Sequence, residues 1–409
     1  MTQSKSSAAG NAAGIITTKM TLVALTAADA VGVVMLYVIP LIIGSISDAF
    51  GVQEGTSGLV SSLEFGTMAI AGLVLSPVFQ KLKVKQLAIV GITVLFLGNL
   101  VSALCAIRGA WVVFVISRGV VGLAEGTLYA LAYGMAAKTR DPNRTYSIYV
   151  GFEVTFAMLM MILIGIFVEK LGPAGSFVTL GGISLIMIPI FLWFPKNDEA
   201  PVETKAKVDQ KFSRDVYMLI IGMGLFCIGL NTLYPFVERI GVLLEIATSR
   251  ISMILTLSLF CSIFGALICG VLGTRYGRTV PLIIGVVFQV AAIFMLVYTQ
   301  STVWFSMGAI VQAMAIAYFL PLFNGLVAFF DRSGRATCAA AGVIAVGTAL
   351  GPFLAGVVLN VGGGYITLGW ISAGLYMAMV VMGVKPALKA DRTSDTDTPV
   401  MASIPECTV

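Results

Sequence analysis

Apolar residues fall along this chain in long runs separated by short polar stretches. Each run is long enough to cross a bilayer, which takes about 20 helical residues at 1.5 Å of rise apiece. The runs lie near 19–45, 57–79, 86–107, 110–137, 146–168, 174–195, 214–238, 248–272, 280–299, 302–330, 336–360 and 364–386. The pattern predicts an all-α polytopic membrane protein of twelve transmembrane helices.

The polar stretches test that division, because lysine and arginine gather on the cytoplasmic side of short loops. With the N-terminus inside, the basic residues cluster at Lys81, Lys83 and Lys85, at Lys138, Arg140 and Arg144, and from Lys196 to Arg214. They recur at Arg275 and Arg278, at Arg332 and Arg335, and at both ends. Of the 25 lysines and arginines, the opposite side keeps Arg108, Lys170, Arg239 and Arg250. A miscounted span would destroy this asymmetry, so both termini are expected in the cytoplasm.

Composition narrows the function classes. The chain is 58% hydrophobic and 11% charged, with a mean hydropathy of +0.99, against about 25% charged in soluble domains. Its net charge of +5 is spread over short loops and offers no basic face for nucleic acid. There is no histidine, which removes imidazole proton relays, the usual zinc sites and Ser-His-Asp hydrolysis, and leaves carboxylates to carry protons. The six cysteines form no CxxC pair and read as small buried apolar residues. No phosphate loop, metal cluster or nucleophile constellation is present, so neither enzyme activity nor a cofactor or metal is expected.

Five charges interrupt the apolar runs of the first half: Asp29, Glu64, Arg118, Glu125 and Glu153. Each costs roughly 2.5–3.5 kcal/mol at a helix centre, and such residues usually face a bundle interior or a water-filled path. Arg118 and Glu125 are seven residues apart on span four and share one face, with Gly122 between them allowing close approach. Counting from span ends at 1.5 Å per residue puts Arg118 roughly 12 Å and Glu125 roughly 22 Å from the outer face. Glu64 comes out level with Arg118, and Asp29 near the midplane with Glu125. Glu153 lies roughly 10 Å above the inner face. The expectation is a ladder of acids in which Asp29 and Glu125 share a proton and compete with an anion for Arg118. A carboxylate that meets the guanidinium in only one conformation changes its proton affinity as the protein switches. The plainer reading of Arg118 with one acid is a structural ion pair, and Glu238 beside Arg239 reads as an interfacial one.

The polar segment from Lys196 to Ser213 divides the chain, and features recur across it. The basic loops at Lys81–Lys85 and Arg275–Arg278 correspond, as do Arg144 and Arg335. This is the pattern of two six-helix halves in parallel repeat. The expected organisation is an N-terminal cytoplasmic arm over 1–18, a first half over 19–195, a cytoplasmic linker over 196–213, a second half over 214–386 and a cytoplasmic tail over 387–409.

Within that frame, the segment from Gly270 to Arg278, GVLGTRYGR, resembles the GxLxDRxGR loop signature of the major facilitator superfamily, with Thr274 where the family carries an acid. The resemblance implies that superfamily's fold and a gating loop formed by Arg275, Gly277 and Arg278. The span-four segment Arg118 to Gly126, RGVVGLAEG, resembles the RxxxGxxEG of the anion:cation symporter and Spinster families. That likeness implies that Arg118 contacts the substrate or a carboxylate and that Glu125 takes part in proton coupling, with Asp29 as the first-span acid. Glu64 and Glu153 are further candidates for coupling. In the superfamily, spans one, two, four and five face seven, eight, ten and eleven across a cavity. Carried over, that makes Tyr37, Tyr129, Tyr133, Asn231, Tyr234, Gln312 and Asn324 candidate lining. Span eleven, Gly347 to Gly356, resembles the GPxxGG motif of drug:proton antiporters, which carry it on span five.

The expected function is proton-coupled secondary active transport of a small organic anion or amphipathic carboxylate by alternating access. The alternative is a proton-driven exporter of lipophilic or cationic compounds, with Arg118 structural. The expected partners are a small-molecule substrate, protons and the lipid bilayer of a bacterial inner membrane, with no nucleic acid, and the chain is expected to act as a monomer.

Overall fold

A computed structural model of the chain describes residues 18–75, 79, 82–136, 142–195, 212–272, 277–298, 300–330 and 335–396. Among them the backbone is helical, with no strand. The first half comprises α1 (Lys19–Phe50), α2 (Glu54–Leu75), α3 (Val84–Arg108), α4 (Trp111–Ala136), α5 (Pro142–Leu171) and α6 (Gly175–Met187), which runs on as a 3₁₀ turn, Ile188–Trp193. The second comprises α7 (Arg214–Leu233), α8 (Val237–Leu243), α9 (Thr248–Leu272), α10 (Thr279–Val297), α11 (Thr302–Phe330), α12 (Arg335–Asn360) and α13 (Tyr365–Thr396). A 3₁₀ turn at Tyr234–Phe236, containing Pro235, joins α7 to α8, because proline removes a ladder donor and interrupts the helix there.

Eleven segments among the described residues are long and apolar enough to cross a membrane. One of them, Ile148–Trp193, runs for 46 residues, about 69 Å if it were a single straight helix and more than twice a bilayer core. It turns back at Gly172, whose φ of 66° lies in the left-handed region open to glycine, and it takes in most of α5 and all of α6.

Two elements run further than the apolar pattern suggested. α1 continues through Pro40 to Phe50. α13 continues through Pro386 to Thr396, so the first residues of the segment expected as tail are helical. The N-terminal arm and most of the linker, residues 1–17 and 196–211, lie outside the described residues.

In a bilayer, lipid tails are as apolar as leucine, so helices associate through close van der Waals packing and polar contacts rather than by escaping water. Large apolar side chains accordingly face outward, with Ile107, Val112 and Ile186 about two-thirds exposed. Inside, α4 packs on α1, α2 and α3, and α7 packs on α12 and α13. Two pairs, α2 with α12 and α5 with α9, join the first group of helices to the second. Glycines permit both crossings. A Cβ on Gly58 of α2 would stand 2.8 Å from the Phe236 ring and 3.2 Å from the Pro352 carbonyl, and one on Gly165 of α5 would strike Ser252 of α9.

The end of the bundle where α1 meets α2 and α12 meets α13, opposite the basic loops, is called the distal end. Between the two groups Ser62 donates to the Ala349 carbonyl at 2.8 Å and Tyr234 to the Tyr37 carbonyl at 2.8 Å, and at the distal end Ser249 donates to Glu169 at 2.7 Å. Each bond joins one group of helices to the other.

Candidate functional site

One stripe of α4 carries Arg118, Glu125, Tyr129 and Tyr133, spaced by seven and four so that they share a face. Neighbouring helices reach this stripe because glycine replaces side chain at the crossings. A Cβ on Gly126 would lie 2.8 Å from the Met68 carbonyl carbon of α2, and one on Gly122 would strike the Glu64 carbonyl. On α1, a Cβ at Gly32 would stand 2.8 Å from the Tyr129 amide nitrogen and 2.9 Å from the Glu125 carbonyl oxygen.

The first cluster is built around Arg118, which has no exposed surface. Its Nε donates to Glu64 Oε2 at 3.0 Å, its Nη2 to Glu64 Oε1, and its Nη1 to Asn99 Oδ1 at 2.9 Å. The pair is a bidentate fork, the geometry in which guanidinium holds carboxylate best. The Phe177 ring lies 5.5 Å from the guanidinium carbon. Glu125 brings its carboxyl against that of Glu64, and its Oε2 accepts no hydrogen bond from the described residues. All three guanidinium nitrogens are engaged, so an anion reaches Arg118 only by displacing Glu64 or Asn99.

The second cluster sets Asp29 of α1 beside Glu153 of α5, carboxyl facing carboxyl. Both are buried. The Tyr37 hydroxyl donates to Glu153 Oε2 at 3.2 Å. Tyr129 and Tyr133 stand alongside with ring centroids 4.5 Å apart, and Tyr149 packs on Tyr133 at 5.8 Å. Both oxygens of Asp29 and Oε1 of Glu153 accept from no donor among the described residues.

These pairings differ from the expected ladder. Asp29 meets Glu153, whereas Glu125 meets Glu64, so Asp29 and Glu125 do not share a site. The contact of Phe50 with Trp111 and Phe114, at 5.2 and 4.7 Å, sets the end of α1 beside the start of α4, and the two helices are antiparallel. Since Gly32 abuts Glu125 and Tyr129, Asp29 lies about 8 Å further from the distal end than Glu125 at 1.5 Å per residue. The run ends misled because α1, at 32 residues, spans about 48 Å, and its ends do not mark the membrane faces. Glu64, abutting Gly122, sits midway between Arg118 and Glu125.

The remaining candidates scatter. Tyr37 and Tyr234 meet at the contact between the two groups of helices. Asn231 donates to the Cys227 carbonyl at 2.9 Å and packs against Gly351 of α12, a contact inside the second group. Gln312 is buried, and its Nε2 meets no partner among the described residues. The side chain of Asn324 and the whole of Arg275 lie outside the described residues. In the loop before α10, Gly277 has a φ of 70° and the Arg278 guanidinium lies over the Phe329 ring at 4.3 Å. Burial pulls Arg278 below the ordinary guanidinium value, opposed by the nearby Asp391 carboxylate.

Several residues were missed. Asp391 of α13 accepts from the Arg278 and Thr279 backbone amides at 2.7 and 3.1 Å and from the Thr279 hydroxyl at 2.7 Å, so a carboxylate from another helix caps α10. Asn99 of α3 accepts from Arg118, a partnership that nothing in the apolar pattern marks. At the distal end Arg239 donates to Asp48 at 2.8 and 2.9 Å and to Glu238 at 2.7 Å, and Tyr365 donates to Glu54.

The family model for the Major Facilitator Superfamily matches residues 22–247 and 219–400. The chain belongs to the major facilitator superfamily. As a superfamily member with eleven segments long and apolar enough to cross a bilayer among its described residues, it is a multi-pass membrane protein. It is 24% identical over 277 residues to the uncharacterized transporter BU588 of Buchnera aphidicola, spanning 64% of this chain and 66% of that relative's length. Among solved structures, a bacterial homolog of the human lysosomal transporter Spinster, inward-facing and occupied, superposes with a TM-score of 0.64. The match has 16% identity and covers 92% of this chain and 95% of that one. The nucleoside transporter NupG gives a TM-score of 0.69 at 14% identity, over 90% of this chain and 99% of that one. At such identities the likeness is one of fold.

Proposed function

We propose that this superfamily member is a proton-coupled secondary active transporter of a small organic anion or amphipathic carboxylate, working by alternating access. The observation that carries the reading is the fork of Glu64 on Arg118 with Glu125 against it. Glu64 occupies the guanidinium as a substrate carboxylate would, in the bidentate geometry such a substrate prefers. An anion takes that seat only if Glu64 gives up its charge, so each anion bound requires a proton bound. Uptake of the two together follows from one competition at one side chain. Glu125, carboxyl to carboxyl with Glu64, is the group that hands the proton on, and Asp29 with Glu153 form the next station toward the basic end. Tyr37, Tyr129 and Tyr133 supply hydroxyls and rings around that second station.

In this reading the eleven apolar segments hold twelve spans, the 46-residue segment counting as two. Both termini face the cytoplasm with the basic loops, and the distal end faces outward. The chain acts as a monomer.

A second reading, export of lipophilic or cationic compounds, is favoured by the Asp29 and Glu153 pair, in which both Asp29 oxygens and Glu153 Oε1 meet no donor among the described residues while tyrosine rings stand beside them. Carboxylates with aromatic faces are the chemistry that holds organic cations. Reconstitution into liposomes with an imposed pH gradient, tested against organic acids and cationic dyes, separates the two. Acid accumulation that is lost in Glu125→Gln, with substrate exchange retained, supports the first reading. Uphill transport unchanged in Glu125→Gln overturns the coupling role. Dye movement that survives Arg118→Ala but not Asp29→Asn supports the second.

A further inference from the structure

The Arg118 cluster lies buried inside one group of helices. The distal cluster is different in kind, because it joins the two groups. Arg239 and Glu238 belong to α8, and Asp48 belongs to α1. Arg239 gives Nη1 and Nη2 to the two oxygens of Asp48 at 2.8 and 2.9 Å and its Nε to Glu238 at 2.7 Å. A few residues away Tyr365 of α13 donates to Glu54 of α2. Asp48 is 51% exposed, while Arg239 is 7% and Glu238 1% exposed. A cavity of about 530 Å³, lined by Asp48, Gln53, Glu54, Arg239 and Tyr365 among others, brings water to these bonds.

We propose that Arg239 with Asp48, and Tyr365 with Glu54, form a latch that holds the distal end shut, and that its release is the step that opens the protein to that side. Three features fit a bond made to be broken and remade. Both contacts cross from one group of helices to the other, so a rigid-body movement of the groups breaks both together. Glu238 stays with Arg239 on the same helix, so opening leaves the guanidinium paired, without the penalty of a bare buried charge. Asp48 and the cavity are already wet, so water takes over the bonds that are lost. Gly44 of α1 makes room for the latch, since a Cβ there would strike both Glu238 and Arg239. The proposal does not depend on which solute is carried.

Ser57 of α2, with no exposed surface and bonded to Ser47 at 2.8 Å, lies one turn from Glu54 and reports closure. Site-resolved labelling of Ser57→Cys by a thiol reagent, in detergent where both ends are accessible, is slow while the latch holds. Adding Asp48→Asn with Glu54→Gln raises the labelling rate roughly tenfold, as the open population grows. The exchange pair Asp48→Arg with Arg239→Asp brings it back down. Ser102→Cys, buried inside the first group of helices, stays protected throughout. An unchanged rate in the double variant overturns the latch, and so does an equal rise at Ser102→Cys, which means general loosening.

Discussion

Arg118 differs from an ordinary interior residue in what its removal leaves behind. Glu64 is fully buried and directs both oxygens at the guanidinium, so truncating Arg118 strands a carboxylate next to Glu125. Breaking a buried pair from one side costs about 3–5 kcal/mol, whereas removing both partners is often near neutral. Arg118→Ala is therefore expected to lower the thermal midpoint of the detergent-solubilised protein sharply, and Arg118→Ala with Glu64→Gln to recover much of that loss. A double variant whose loss equals the sum of the two single losses contradicts this account. The charged residues themselves were legible, because five charges in apolar runs stand out in any reading. Their partners were not. Asn99 looked like one amide among many, and Asp48, Glu54 and Tyr365 sit at run ends, where polar residues are ordinary.

Helices here are held by how closely their backbones approach, and the glycines of α4 are not equivalent. A Cβ at Gly126 would meet the Met68 backbone of α2 with its carbonyl carbon at 2.8 Å, while one at Gly119 would find its nearest atom, in Leu63, at an ordinary 3.8 Å. Gly119→Ala is expected to stabilise by up to about 1 kcal/mol through helix propensity. Gly126→Ala forces α2 away and costs about 1–3 kcal/mol. Thermal midpoints of the two variants check this, and equal shifts would mean that α2 is not seated on α4 as described. Because the Glu64 fork bridges the same crossing, Gly126→Ala is also expected to impair transport more than its stability loss alone accounts for. The GxxE spacing on α4 was readable as a sign of close approach. That α2 supplies the neighbour, at the height of Glu64, was not.

At the scale of the molecule, α2 on α12 and α5 on α9 bind the two groups of helices along their sides, while the distal latch closes one end. In the proposed alternating-access cycle, such an arrangement rocks about its side contacts, opening one end as the other closes. Glu54→Cys with Tyr365→Cys, bridged through two disulfides by a short bis-methanethiosulfonate, is expected to lose net transport in liposomes and to regain it on reduction. Transport that continues in the bridged protein would mean that the distal end does not open during the cycle.

The sequence by itself determined the helices, their approximate limits, the basic asymmetry of the loops and the identity of the charges inside the apolar runs. Those follow from composition and from a helix's fixed rise, which a bilayer makes compulsory because backbone groups there must be satisfied within the segment. Tertiary structure alone decided which charge meets which. Each residue advances a helix by 1.5 Å and turns it by about 100°, so an uncertainty of two residues in where a helix begins is enough to change a side chain's neighbour. Apolar runs do not encode relative height or rotation. The glycine crossings fixed both, seating Glu64 between Arg118 and Glu125 and lowering Asp29 to Glu153.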